Sequence, residues 1–145
     1  MPEGIAPAAD TLSRIVLAPE LTALQQIPAW LEQSAGNLAL PSDLSFKLNV
    51  CIEEWFSNLV NHAGLSPDDP PVVFVVERKE ELIVLTITDQ GKPFDPTKAP
   101  SPKQALDLES AEIGGQGIHL MAQFSESWSY VPQSPEGNVL TLRFR

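Results

Sequence analysis

The run LIVLTITD passes directly into DQGKPFDP, so Asp89 leaves an apolar, strand-like segment and enters a glycine turn at Gly91. A carboxylate at the end of a buried strand costs desolvation energy unless a donor reaches it. The exocyclic amine of a purine could be that donor, and Gly91 would let a ligand approach the backbone closely. An Asx-type turn, with Asp89 bonded to local amides, would satisfy the carboxylate as well. A second group stands in IGGQGIHLM, where Gly114, Gly115 and Gly117 come immediately before a helical pattern. Free amides at a helix N-terminus suit an anion such as phosphate; a glycine hinge without a ligand is the other reading. The spacing is neither G-x-G-x-x-G after a strand nor the P-loop pattern, which disfavours those two nucleotide folds.

The third group interrupts an apolar helix. In CIEEWFSNLVNHAG, residues 51–64, Glu54, Asn58, Asn61 and His62 are polar. At about 100° per residue, positions 54, 58 and 62 drift by only about 80° in total, and Asn61 falls beside Glu54. The four share one stripe, while Ile52, Phe56, Leu59 and Ala63 form the opposite, core-facing one. Such a stripe is also what a merely solvated helix face presents. Glu53 lies about 100° round the helix and is expected to face solvent.

The elements that must position these groups alternate along the chain. TLSRIVLA (11–18) reads as a strand. Residues 19–36 read as a helix opened by Pro19, kinked at Pro28 and ending near Gly36. Residues 40–64 predict the long helix, with Ser42 as N-cap, Pro41 before it and Gly64 after it. VVFVVERK (72–79) and LIVLTITD (82–89) predict a hairpin. From Gly91 to Gly117 the texture turns irregular and proline-rich, with a short helix around 103–109, as in a functional loop or an insertion. GIHLMAQFS (117–125) is a short apolar helix, and SWSYVPQ with GNVLTLRF closes the chain as a second hairpin. The expected architecture is α+β: a two-layer sandwich with helices on one face of a mixed, mainly antiparallel sheet. Residues 1–10 read as a tail and 11–145 as one domain.

Composition narrows the function classes. The chain has 145 residues, enough for one self-sufficient core. With 19 acidic against 9 basic residues the net charge is −10, which argues against nucleic-acid binding and against docking on anionic membrane. The lone Cys51 excludes an internal disulfide and a cysteine-rich metal site, and fits a reducing compartment. No secretory signal is visible, and no apolar run approaches the roughly 20 residues of a membrane span. A cytoplasmic protein is expected.

Taken in order, these motifs resemble the three nucleotide-binding boxes of the histidine-kinase-like (Bergerat-fold) ATPases: E-x-x-x-N-x-x-x-H at Glu54/Asn58/His62, D-x-G-x-P-F-D at Asp89/Gly91/Pro93/Phe94/Asp95, and G-G-x-G-I-x-L-M at Gly114/Gly115/Gly117/Ile118/Met121. The small size and the FDP after the second box resemble the anti-sigma-factor serine kinases, ATP-binding regulators of bacterial partner switching. The likeness spans residues 11–145.

The resemblance implies ATP and Mg²⁺ as cofactors and assigns roles. Asn58 would hold Mg²⁺ against the triphosphate, an oxygen ligand for a hard ion. Glu54 would orient or deprotonate a serine hydroxyl of a partner protein. Asp89 and Gly91 would receive adenine, and Gly115, Gln116, Gly117 and Ile118 would hold phosphates through their amides. His62 closes its box as either a structural histidine or a ligand contact. The implied partners are an antagonist-like protein and a sigma factor or similar regulator, with a homodimer as a candidate assembly. The chain departs from the resembled kinases before the third box: Asp107, Glu109 and Glu112 stand where a basic residue is common, with Lys98 and Lys103 the nearby cations. That departure favours the alternative, a non-catalytic ATP-dependent binding switch, while Glu54 favours the kinase. A sensor histidine kinase fits less well, since no dimerisation and phosphoacceptor helices precede the ATP region.

Overall fold

Runs rich in β-branched and aromatic side chains give five strands among the described residues: β1 (Leu12–Leu17), β2 (Val72–Lys79), β3 (Leu82–Asp89), β4 (Ser127–Ser134) and β5 (Gly137–Phe144). The structure, a computed structural model, describes residues 11–98 and 116–145. The strands form one sheet in the order β1-β2-β3-β5-β4. All four pairings are antiparallel, so the sheet contains no parallel pair among the described residues where a mixed one was expected.

Phe74 and Val76 of β2, Ile83, Leu85 and Ile87 of β3, and Leu140, Leu142 and Phe144 of β5 point to one side, as the period of two requires. There they join a single core with the helices α1 (Ile27–Leu38), α2 (Ser42–His62) and α3 (Gln116–Phe124). The long α2 supplies its centre through Leu48, Cys51, Ile52, Trp55, Phe56 and Leu59. No helix among the described residues is long and apolar enough to cross a membrane.

Three local expectations are corrected. Pro28 does not kink a helix running from residue 19. A 3₁₀ turn over Leu21–Gln26 precedes it, and Pro28 sits in the first turn of α1, where its missing N–H costs nothing. Gly36 lies inside α1, which continues to Leu38 and stops at Ala39 in the left-handed region (φ 55°). Arg78 stabilises that end by donating from its guanidinium to the carbonyls of Leu38 and Ala39, each at 2.8 Å. Ser42 is the first residue of α2 and makes no side-chain cap bond; Pro41 holds the cap position. Gly64, by contrast, follows α2 with φ +70°, the conformation that favours glycine. The proposed tail (1–10) and the short helix at 103–109 lie outside the described residues.

Candidate nucleotide site

Gly91 and its neighbours are pinned to the C-terminal end of α2. The Lys92 N–H donates to the Ala63 carbonyl at 2.9 Å. A β-carbon on Gly91 would lie 2.8 Å from Ala63 Cβ and 2.9 Å from the Ala63 oxygen, so only glycine allows the approach. Gly91→Ala should therefore destabilise the fold by about 1–3 kcal/mol through overpacking against backbone. Chemical unfolding monitored by tryptophan fluorescence checks this; a variant as stable as the wild type would contradict the contact.

Asp89 continues the inward alternation of Ile83, Leu85 and Ile87, and so lies on the helix-bearing face, the side of the sheet that holds Asn58. It is 1% exposed. Its Oδ1 accepts from the Gly91 N–H at 2.8 Å and from Asn138 Nδ2 at 3.1 Å. Among the described residues nothing donates to Oδ2. The Asx turn read from the sequence is thus present, yet it uses only one oxygen. Burial pushes the Asp89 carboxyl up from its ordinary value, and the bonds from Asn138 and Gly91 oppose that shift. Asn138, itself 2% exposed, also donates to the Gly91 carbonyl at 2.8 Å, and its Oδ1 accepts from Gln133 N–H at 2.9 Å. Its amide nitrogen thus holds the turn while its oxygen ties it to β4.

Between α2 and this turn lies a cavity of about 410 Å³, within the usual range for small-ligand sites. Trp55, Asn58 and His62 line it from α2, and Lys92, Pro93 and Phe94 from the loop. Trp55 stacks on Phe94 with centroids 6.4 Å apart and meets Tyr130 edge-on at 6.2 Å. The Phe94 N–H donates to the Tyr130 hydroxyl at 3.0 Å, which ties the loop to β4. Burial raises the Tyr130 pKa. The Asn58 amide nitrogen donates to the Glu54 carbonyl at 3.0 Å, which leaves Oδ1 as the group free to ligate.

Glu54, half-buried, lies against the start of α3: a β-carbon on Gly117 would come within 2.7 Å of Glu54 Cδ. The first turn of that helix has room for the Glu54 carboxylate because residue 117 lacks a side chain. Beneath Glu54, burial and the neighbouring carboxylate push the Cys51 thiol up to about 12, so it is a neutral core group.

The polar stripe therefore divides. Asn58 and His62 face the cavity, Glu54 meets α3, and Asn61 is exposed and does not line the cavity. Glu53 is exposed. Asp89 is buried behind the turn and does not line the cavity itself. The Ile118 side chain is core, 5% exposed, so only its backbone could serve a ligand. Lys98 is exposed at the end of a 3₁₀ turn. Gly114, Gly115, Lys103, Asp107, Glu109 and Glu112 lie outside the described residues, as does the side chain of Gln116. Sequence reasoning passed over Trp55, Lys92, Tyr130 and Asn138. Asn138 follows a glycine in SPEGN and looks like one more turn residue; only its pairing opposite Asp89 reveals it.

Among the described residues no cluster of three or more histidines, cysteines or acids could enclose a metal. A single protein oxygen at Asn58 fits Mg²⁺, which keeps waters and takes substrate phosphates as most of its ligands.

Residues 17–144 match the family model described as histidine kinase-like ATPase domain. The chain is 37% identical over 135 residues to the serine/threonine-protein kinase BtrW of Bordetella bronchiseptica, an alignment covering 92% of this chain and 91% of that protein.

Proposed function

The chain belongs to the histidine kinase-like ATPase domain family, and from that premise we propose that it is a cytoplasmic protein serine kinase that uses Mg-ATP. It would act on a serine of an antagonist-like partner and sequester a sigma factor or similar regulator by partner switching. The observation that carries the reading is the placement of Glu54 against the glycine that opens α3, one helical turn from Asn58 on the cavity wall.

In this reading adenine enters the cleft with its amine directed at the uncommitted Oδ2 of Asp89, which the turn shields from the cavity in the free protein. The backbone amides of 116–118 hold phosphates at the head of α3. Asn58 Oδ1 is the protein ligand of Mg²⁺, which when bound neutralises phosphate charge. Lys92 adds a positive charge on the cavity wall. Glu54 receives the proton of the partner's serine hydroxyl as its oxygen attacks the γ-phosphorus and the bond to the ADP oxygen breaks. Phosphoryl transfer asks mainly for positioning and charge neutralisation, which these groups offer.

Incubation with γ-labelled ATP, Mg²⁺ and candidate antagonist proteins tests this; label on a partner serine is expected. ATP binding with no partner labelled would favour the second reading, a nucleotide-dependent binding switch, to which the acidic residues 107, 109 and 112 point. Asn58→Ala is expected to lower nucleotide affinity in Mg²⁺ and to leave the weaker metal-free binding little changed. Calorimetry with and without Mg²⁺ checks this, and equal losses in both would remove Asn58 as the ligand.

A further inference from the structure

One aromatic ring in the cavity wall is open to a ligand. Phe94 is 44% exposed, whereas Trp55, which lines the same cavity, is 1% exposed. The Phe94 ring lies offset on the Trp55 indole with the two planes inclined by 24°, so the area it leaves open is its other face and its edge. The loop that carries it has little to hold it with. Pro93 and Pro96 supply no N–H, which leaves few amides for a backbone ladder. The two ends of the loop are fixed: Lys92 N–H donates to Ala63, and Asp95 accepts from the Thr97 N–H and hydroxyl. The middle is fixed from β4 by Tyr130, whose hydroxyl accepts from the Phe94 N–H and whose ring meets the edge of Trp55. Burial, with Asp89 and Asp95 nearby, raises the Tyr130 pKa in spite of the Phe94 bond, so at neutral pH the hydroxyl is uncharged. Tyr130 does not line the cavity, and what it does for a ligand passes through Phe94.

We propose that the open face of Phe94 is a stacking platform that selects a purine over a pyrimidine nucleotide, and that Tyr130 is the positioning residue that holds it. The inference rests on the nucleotide reading and adds what that reading leaves open. An acceptor at Asp89 Oδ2 recognises an exocyclic amine, and adenine and cytosine both carry one. Hydrogen bonding to that amine therefore does not separate the two bases. Stacked area does. The fused rings of a purine make more contacts with a phenyl ring than the single ring of a pyrimidine can, and dispersion adds up contact by contact. One base–aromatic stack is worth about 10–100-fold in affinity. Trp55 beneath the ring and Tyr130 behind its amide fix the platform in the free protein, so a ligand does not have to order it on binding. A phenylalanine on a proline-rich loop without those two supports would give up part of that gain to side-chain and loop ordering. The hydroxyl of Tyr130, which touches no ligand, thereby reaches the choice of base.

Calorimetric titration of the full chain in Mg²⁺ with ATP, CTP and base-free tripolyphosphate tests this. The wild type is expected to bind ATP at least about 10-fold more tightly than CTP. Phe94→Leu keeps an apolar cover on Trp55 but removes the flat face. It should weaken ATP about 10-fold, weaken CTP less, and leave tripolyphosphate unchanged. Tyr130→Phe removes only the acceptor and keeps a ring against Trp55. It should weaken ATP about 3–10-fold, the worth of one hydrogen bond, lower the ratio of ATP to CTP affinity, and again spare tripolyphosphate. Equal losses for all three ligands in Phe94→Leu would mark a purely structural side chain and overturn the proposal. So would a wild type that binds ATP and CTP alike, or a Tyr130→Phe variant that keeps the wild-type ratio. A wild type that binds neither nucleotide would overturn the nucleotide reading itself, a result distinct from each of these.

Discussion

Glu54→Gln is expected to lower phosphate transfer by about 10²–10⁴, the usual contribution of a general base, with nucleotide affinity nearly unchanged. The substitution keeps the size and shape of a side chain that must fit against Gly117, so the packing of α2 on α3 survives. What it removes is the proton acceptor. A carboxylate there solely to fill the gap beneath the glycine turn would be replaced by glutamine at little cost in rate. Single-turnover transfer to the partner, alongside calorimetric ATP binding, separates the two roles. Wild-type transfer by the glutamine variant would exclude Glu54 as the base, and loss of binding and rate together would make it a nucleotide-positioning group.

Elements with a clean period were legible in the sequence. β2 and β3 begin and end at the predicted residues because each is a β-branched run bounded by turn-forming or charged residues, and the register between them is fixed by the one-sided core. The end of α1 was not legible, because it depends on Arg78, 40 residues away, bonding the last carbonyls. In the site, Glu54, Asn58 and Asp89 stood out as polar groups in apolar runs, where any polar residue demands a reason. The groups that hold them in place did not. Asn138 meets Asp89 across 49 residues of chain, and Tyr130 reaches Phe94 across 36. Trp55 fits the core period of its helix, so nothing marked it as a cavity wall as well.

Asp89→Asn is expected to weaken ATP binding by about 10–100-fold while leaving the free protein as stable as the wild type or more so. The direction follows from how the turn holds residue 89. Gly91 N–H and Asn138 Nδ2 both donate to Oδ1, so an amide at this position must keep its oxygen there and put its NH₂ where Oδ2 was. A donor then faces the adenine amine, itself a donor, and a buried pair left without an acceptor costs about 1–3 kcal/mol. The stability effect has the opposite sign. Because burial raises the Asp89 pKa in the folded state, the folded protein binds that proton more tightly than the unfolded chain does. The protonated form's contribution is complete below the unfolded pKa and is lost as pH rises through the folded one. At neutral pH the ionised carboxylate is therefore a cost to the free protein, and asparagine removes it. Thermal unfolding from pH 4 to 8 should show the variant gaining on the wild type as pH rises, by up to a few degrees for a chain of this size. A variant that melts below the wild type at neutral pH would mean that Asn138 and Gly91 more than offset burial. One that binds ATP as the wild type does would remove Asp89 from adenine recognition.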